Sequence, residues 1–174
     1  MATKSCSRTL EVTIISGEGL LVTQSRPVKK NAFVIVRTDS VDTQMTKLDT
    51  EGESNPAWNE KLVVDMPIHA RFLTVEVQCK TSSGNRVIGT ARVPVSDFTG
   101  GYTPENYLHF LSYRLRDGNG ERNGIINLSV RAKVPENASS YATFYSQPGL
   151  KVSADEGVSG GIVTGVPVWY GYQR

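Results

Sequence analysis

The chain has 174 residues, 39% of them apolar and 21% charged, and a formal net charge of +2. That length suits one domain or one domain with an appendage, and no apolar run approaches the ~20 residues of a membrane-spanning helix. Residues 135–174 hold two basic and three acidic side chains, a net of −1, which leaves +3 for the first 134. So small an excess is not the strongly basic face of a nucleic-acid binder, and no nucleic-acid partner is expected.

The N-terminal "MATKSCSRTLEV" lacks the apolar core of a secretory signal. Ala2 stands where myristoylation needs glycine, and the last residues form no prenylation box. These features lead to the expectation of a soluble, cytoplasmic chain. Two cysteines make neither a disulfide framework nor a zinc set. Cys79 falls in an apolar alternation and reads as a small core residue, while Cys6 near the terminus leaves S-acylation open.

In "TLEVTII" the residues Leu10, Val12 and Ile14 alternate with Thr9, Glu11 and Thr13, the period of a strand with one buried side. "SGEGLLVTQSRPVKKN" follows as a long connection punctuated by Gly, Ser and Pro. "AFVIVRT" is a second strand, rich in β-branched residues, and "TQMTKL" a weaker third. "AWNEKLVVDM" predicts a fourth. "FLTVEVQC" predicts a fifth, with Leu73, Val75, Val77 and Cys79 inward, and a polar loop leads from it to "VIGTARVPV", the sixth. "YLHFLSYRL" and "IINLSVRAKV" complete the set around the turn-rich "RDGNGERNG", and only "SDFTGGYTPEN" leaves room for a helical turn. Eight short strands separated by turn signals predict an all-β, eight-stranded antiparallel β-sandwich over residues 1–134. Residues 135–174 are Ser-, Gly- and Pro-rich without a period and predict a flexible C-terminal tail, ending in the apolar and aromatic "IVTGVPVWYGYQR".

No catalytic constellation emerges. His69 and His109 lie in separate segments without acidic company at a recognisable spacing, and no nucleophile elbow, phosphate loop or zinc pattern is present. The expectation is a non-enzyme. "DGNGER" mimics the start of an EF-hand loop, but Arg122 takes the sixth position, no Glu stands at the twelfth, and strands flank it. It reads as a turn.

At "NPAWNEKLVV" the chain resembles the C2 domain, a calcium- and lipid-binding β-sandwich, through that family's Asn-Pro-x-Trp-Asn-Glu motif. "LEVTIISGEGL", "NAFVIV" and "VIGTARVPVSDF" resemble further C2 strands in order, so the likeness spans residues 8–134. "RPVKKNAF", "HFLSYRLRDGNG", "GIINLS" and "VTGVPVWYGYQR" resemble more narrowly the plant bonzai-associated proteins, small C2 proteins that partner a copine and restrain cell death and defence responses. The resemblance implies a non-catalytic adaptor that associates with phospholipid and a copine-family partner, peripherally at the plasma membrane, and negatively regulates cell death. The alternative is a general phospholipid-tethering C2 module in stress signalling, without an obligate copine partner.

The resemblance also locates the usual calcium ligands. A calcium ion takes six to eight oxygens, mostly from carboxylates. The corresponding positions here are Ser25 and Asn31 in the first loop and Gln78, Lys80 and Arg86 in the third. None is acidic, and two are cationic. No calcium is therefore expected at the usual site, and no other cofactor is implied. Asp49, Glu51 and Glu53 in the middle loop read either as a solvated hairpin tip pairing loosely with Lys80 or Arg86, or as a weak, non-standard metal site.

Arg26, Lys29 and Lys30 join Lys80 and Arg86 as five cations expected at one end, against Glu18, Asp49, Glu51 and Glu53, a local total of about +1. They read as solubilising charge or as a lipid- and partner-docking surface of modest, salt-sensitive affinity. Leu20, Leu21 and Val22 are open to either an apolar tip or the core. In the tail, Val166, Val168, Trp169, Tyr170 and Tyr172 read as a partner-docking segment that packs on the sandwich edge or adds as a strand to a partner's sheet. Pro167 suits an edge position.

Overall fold

The computed structural model of the protein describes residues 7–23, 25–39, 43–100, 103–104 and 106–133. Its strands, in chain order, are β1 (Ser7–Glu18), β2 (Leu21–Thr23), β3 (Arg26–Pro27), β4 (Ala32–Arg37) and β5 (Thr43–Met45). They continue with β6 (Ala57–Pro67), β7 (Phe72–Thr81), β8 (Gly84–Pro94), β9 (Leu108–Arg116) and β10 (Arg122–Ala132). Alternation decides which faces turn inward. Leu10, Val12 and Ile14 of β1 are buried, as are Leu73, Val75, Val77 and Cys79 of β7 and Ile126, Leu128 and Val130 of β10.

Eight of these strands form an antiparallel ladder in the order β5-β4-β7-β8-β9-β10-β1-β6. Between β8 and β9 a single residue pair, Thr90 with Arg116, joins the two halves. β5-β4-β7-β8 and β9-β10-β1-β6 therefore behave as two layers around one core, which unites Val34 and Val75 of the first with Leu10, Val64 and Leu128 of the second. The fold is an all-β antiparallel sandwich.

Several boundaries differ from the sequence reading. The long first connection contains a small ladder of its own, β2 with β3, because Leu20 and Val28 are both buried and Val28 N–H donates to Leu20 C=O at 3.0 Å. That places Leu20 in the core, while Leu21 and Val22 are half-buried. The polar loop expected between Cys79 and Val87 is mostly strand: β7 and β8 stay paired out to Thr81 opposite Gly84, leaving only Ser82 and Ser83 as the turn. β5 keeps three residues of "TQMTKL", and a single 3-10 turn spans Val95–Asp97. The tail assignments, including Val166, Val168, Trp169, Tyr170 and Tyr172, lie outside the described residues, as does Cys6.

Candidate functional site

The end of the sandwich that carries the first loop, the middle loop and the β7–β8 turn is fixed by the Asn-Pro-Ala-Trp segment. Asn55 Oδ1 accepts from Gly19 N–H at 2.9 Å, while the carbonyls of Ser54 and Pro56 accept from Leu20 and Gly17 N–H at 2.9 and 2.8 Å. Trp58 Nε1 donates to Ala32 C=O at 3.1 Å. One short motif thereby pins the base of the first loop at both ends. A buried side chain in β10 completes the attachment. Asn123 Oδ1 accepts from Leu21 N–H at 3.0 Å, and its Nδ2 donates at 2.8 Å to the carbonyls of Leu21 and Ile88.

The first loop then meets β7. Asn31, in the left-handed region at φ 61°, turns its carbonyl to accept from Lys80 N–H at 3.0 Å, and Cys79 Sγ donates to Lys30 C=O at 3.3 Å. A register shift at Val77/Gln78 leaves Ile88 unpaired and sets Arg86 opposite Cys79. Directly opposed residues share one face of a ladder, so this bulge sets Arg86 instead of Val87 on the face of Cys79. Burial pushes the Cys79 thiol upward and the nearby Arg86 charge opposes that shift.

The result is an open concavity of about 1020 Å³ whose walls hold Arg26, Lys29, Lys30, Lys80 and Arg86. The five cations named from the sequence therefore share one surface. Asn31, Ser82, Ser83 and Asn85 add neutral polar groups, and no carboxylate lines it among the described residues. Glu18, Asp49, Glu51 and Glu53 do not enter the wall, so they temper this concavity less than a sum over the whole end implies. Of the five positions aligned with calcium ligands, Asn31, Lys80 and Arg86 line it, while Ser25 does not. Gln78 points elsewhere, bonding Glu76, which also pairs with Arg37 at 3.0 Å.

Asp49 has a structural task. Its Oδ1 accepts from Glu51 and Gly52 N–H at 3.1 and 2.7 Å, and its Oδ2 accepts from Ala57 N–H at 3.1 Å. Both oxygens brace the middle loop, which explains an acid at this position. Among the described residues, no group of three or more His, Cys, Asp or Glu gathers as a metal would require. Asp117 Oδ1 likewise closes the β9–β10 turn on Asn119 and Glu121 N–H, at 2.9 Å each. His69 is exposed in the β6–β7 turn, and His109 packs edge-on against Tyr107 with ring centroids 4.9 Å apart; both lie at the opposite end. Sequence reasoning missed Asn123 and the bulge. Asn123 falls in "RDGNGERNG", where an Asn reads as a turn residue, and a one-residue slip leaves no signal.

The C2 domain family model matches residues 8–110 of the chain. BON1-associated protein 2 of Arabidopsis thaliana is 36% identical over 207 aligned residues, covering 100% of this chain and 99% of the relative. Among solved structures, the C2A domain of plant Extended Synaptotagmin 1 superposes with a TM-score of 0.60 at 15% identity, covering 72% of this chain and 94% of that one. Human GIVD cytosolic phospholipase A2 gives a TM-score of 0.59 at 14% identity over 78% of this chain, but the match occupies only 17% of the phospholipase.

Proposed function

This chain belongs to the C2 domain family and is related to BON1-associated protein 2, and from that premise we propose that it is a non-catalytic adaptor working at anionic membrane surfaces. The observation that carries this reading is the concavity whose walls bring together Arg26, Lys29, Lys30, Lys80 and Arg86 without a carboxylate. In a calcium-dependent C2 domain, the metal supplies the positive charge that faces the lipid. Here Lys80 and Arg86 stand at ligand positions and supply it permanently, so membrane contact needs no calcium. Each cation near an anionic leaflet contributes about 1 kcal/mol, screened by salt, which gives reversible, peripheral association. No helix among the described residues is long and apolar enough to cross a membrane.

The name of the related protein, one associated with BON1, supports a protein partner, and the resemblance to the bonzai-associated proteins supplies the copine kind of that partner and a role in restraining plant cell death and defence. In this reading the loop end meets acidic lipid while the terminal segment around Trp169 and Tyr170 engages the copine.

Co-sedimentation with vesicles of phosphatidylcholine and phosphatidylserine tests the membrane step. Equal binding in calcium and in chelator is expected, and Lys80→Gln with Arg86→Gln should lose about 2 kcal/mol, on the order of thirtyfold. Binding that strictly requires calcium would sink the reading. Deleting residues 160–174 should abolish copine association while vesicle binding persists. Undiminished copine association would remove that segment from the interface, and absence of copine association in the full chain would favour the lipid-tethering alternative.

A further inference from the structure

The outer face of the β9-β10-β1-β6 layer carries an arrangement that the loop-end site does not use. Across the four strands, Leu108, Arg131, Glu11 and Val63 lie in one row, and Phe110, Ser129, Thr13 and Lys61 lie in the next. Glu11 sits at the centre with three cations around it. Lys133 Nζ is 3.0 Å from its carboxylate, Arg131 Nη1 3.6 Å and Lys61 Nζ 3.7 Å. Asp65 shares this face, opposite Thr9 in the neighbouring row, so three positive charges stand against two negative, a local excess of +1.

Only Lys133 is within hydrogen-bond reach of Glu11. Arg131 stands beyond it, and its Nε is buried with no hydrogen-bond partner. That buried Nε is out of a partner's reach, but a guanidinium has five N–H donors in a fixed fork suited to a planar anion, and the Arg131 side chain is 38% exposed, so its terminal N–H groups face outward. Apolar groups border the charge. Phe110 is 72% exposed and Val63 51%.

We infer that this face docks an acidic protein segment, with a carboxylate of the partner received by Arg131 and Lys61 and an adjoining apolar side chain laid on Phe110. Charge complementarity selects an acidic partner, and an aromatic beside an arginine is the composition of interface anchors. Placement selects protein over bilayer. Glu11 lies seven residues before Glu18 at the loop end, about 23 Å along an extended strand, and the rows run along the side of the sandwich. A surface met by the loop end does not reach them.

The test uses the full chain, isotopically labelled, titrated with a synthetic ten-residue peptide alternating Glu and Leu, and with Gln-for-Glu and Lys-for-Glu versions. The acidic peptide alone should shift the amide resonances of Lys61, Phe110, Arg131 and Lys133. Its dissociation constant should rise on the order of tenfold in Phe110→Ser and in Arg131→Gln. Lys61→Gln, at an exposed side chain, should weaken it in the same direction and guards against a folding defect in the other two. Equal shifts with the Gln peptide, shifts confined to the loop end, or unchanged affinity in all three variants would overturn the inference. So would loss of vesicle binding in Phe110→Ser, which assigns the face to a bilayer. Self-association abolished by the same variant would assign it to a second copy and overturn it too.

Discussion

Asn123 is the buried amide at which β2, β8 and β10 meet, spending its oxygen and both amide hydrogens on Leu21 and Ile88. Removing it leaves buried backbone groups of two strands unpartnered, each costing about 1–3 kcal/mol. Asn123→Ala should lower unfolding stability by about 3 kcal/mol in urea titration, and weaken vesicle binding because the first loop loses its anchor. At Glu11 the hydrogen bond from Lys133, and then the Lys61 and Arg131 charges, hold the carboxyl below its ordinary value of 4.5. A carboxyl lowered in the folded state contributes stability above its unfolded pKa and loses it as pH falls through the folded one. Glu11→Gln should therefore be less stable than the parent at neutral pH, and the gap should close in acid. Urea midpoints from neutral pH to well below 4.5 check this. In the sequence, Lys80 and Arg86 stood out because cations replaced expected acids. Glu11 was legible only as an outward strand residue, since its partners arrive from positions 61, 131 and 133.

The β7–β8 hairpin is the element that sets the site. Pairing runs to Thr81–Gly84, and Gly84, at φ 124°, takes a conformation that side-chain-bearing residues rarely adopt. Hydrogen exchange at the Lys80 amide, which donates to Asn31 C=O, should be slow and equal in calcium and chelator. Rapid exchange there would show a loop still open. On β10, Gly124 is at φ 64°, and a Cβ there would come within 2.6 Å of Glu18 C=O. Gly124→Ala should cost at least about 2 kcal/mol by thermal or urea unfolding. The strands themselves were legible because each buries one face, so apolar residues recur at every second position. β2 and β3 were not, being too short for a period and masked by Ser, Pro and Lys. The bulge at Ile88 was equally hidden, because "NRVIG" reads the same in either register, yet it decides whether Arg86 or Val87 shares the face of Cys79.

At the scale of the whole molecule, the two layers share one core and touch along their ladder at a single pair, Thr90 with Arg116. Core packing therefore holds the layers together. Leu128, buried between them, should cost about 3 kcal/mol as Leu128→Ala in urea titration. The sandwich was legible from eight alternations and their turns. The convergence of residues 26–30 with 80 and 86 depended on family resemblance, because no local pattern encodes which loops lie side by side.

The strand order also constrains how the chain is made. β1 lies between β6 and β10, and β10 between β1 and β9, so the first strand among the described residues needs the last of them for its second neighbour. At ~5–20 residues per second, the end of β10 is added about 6–23 s after the end of β1. For the later part of that interval β1 can pair with β6 alone, leaving its other edge open to the wrong strand. Glu11, an outward residue of β1, puts a charge on this temporary edge strand, a feature that discourages intermolecular pairing. The Glu11 charge, around which Lys61, Arg131 and Lys133 gather in the folded protein, thus also guards β1 while β10 is still inside the ribosome.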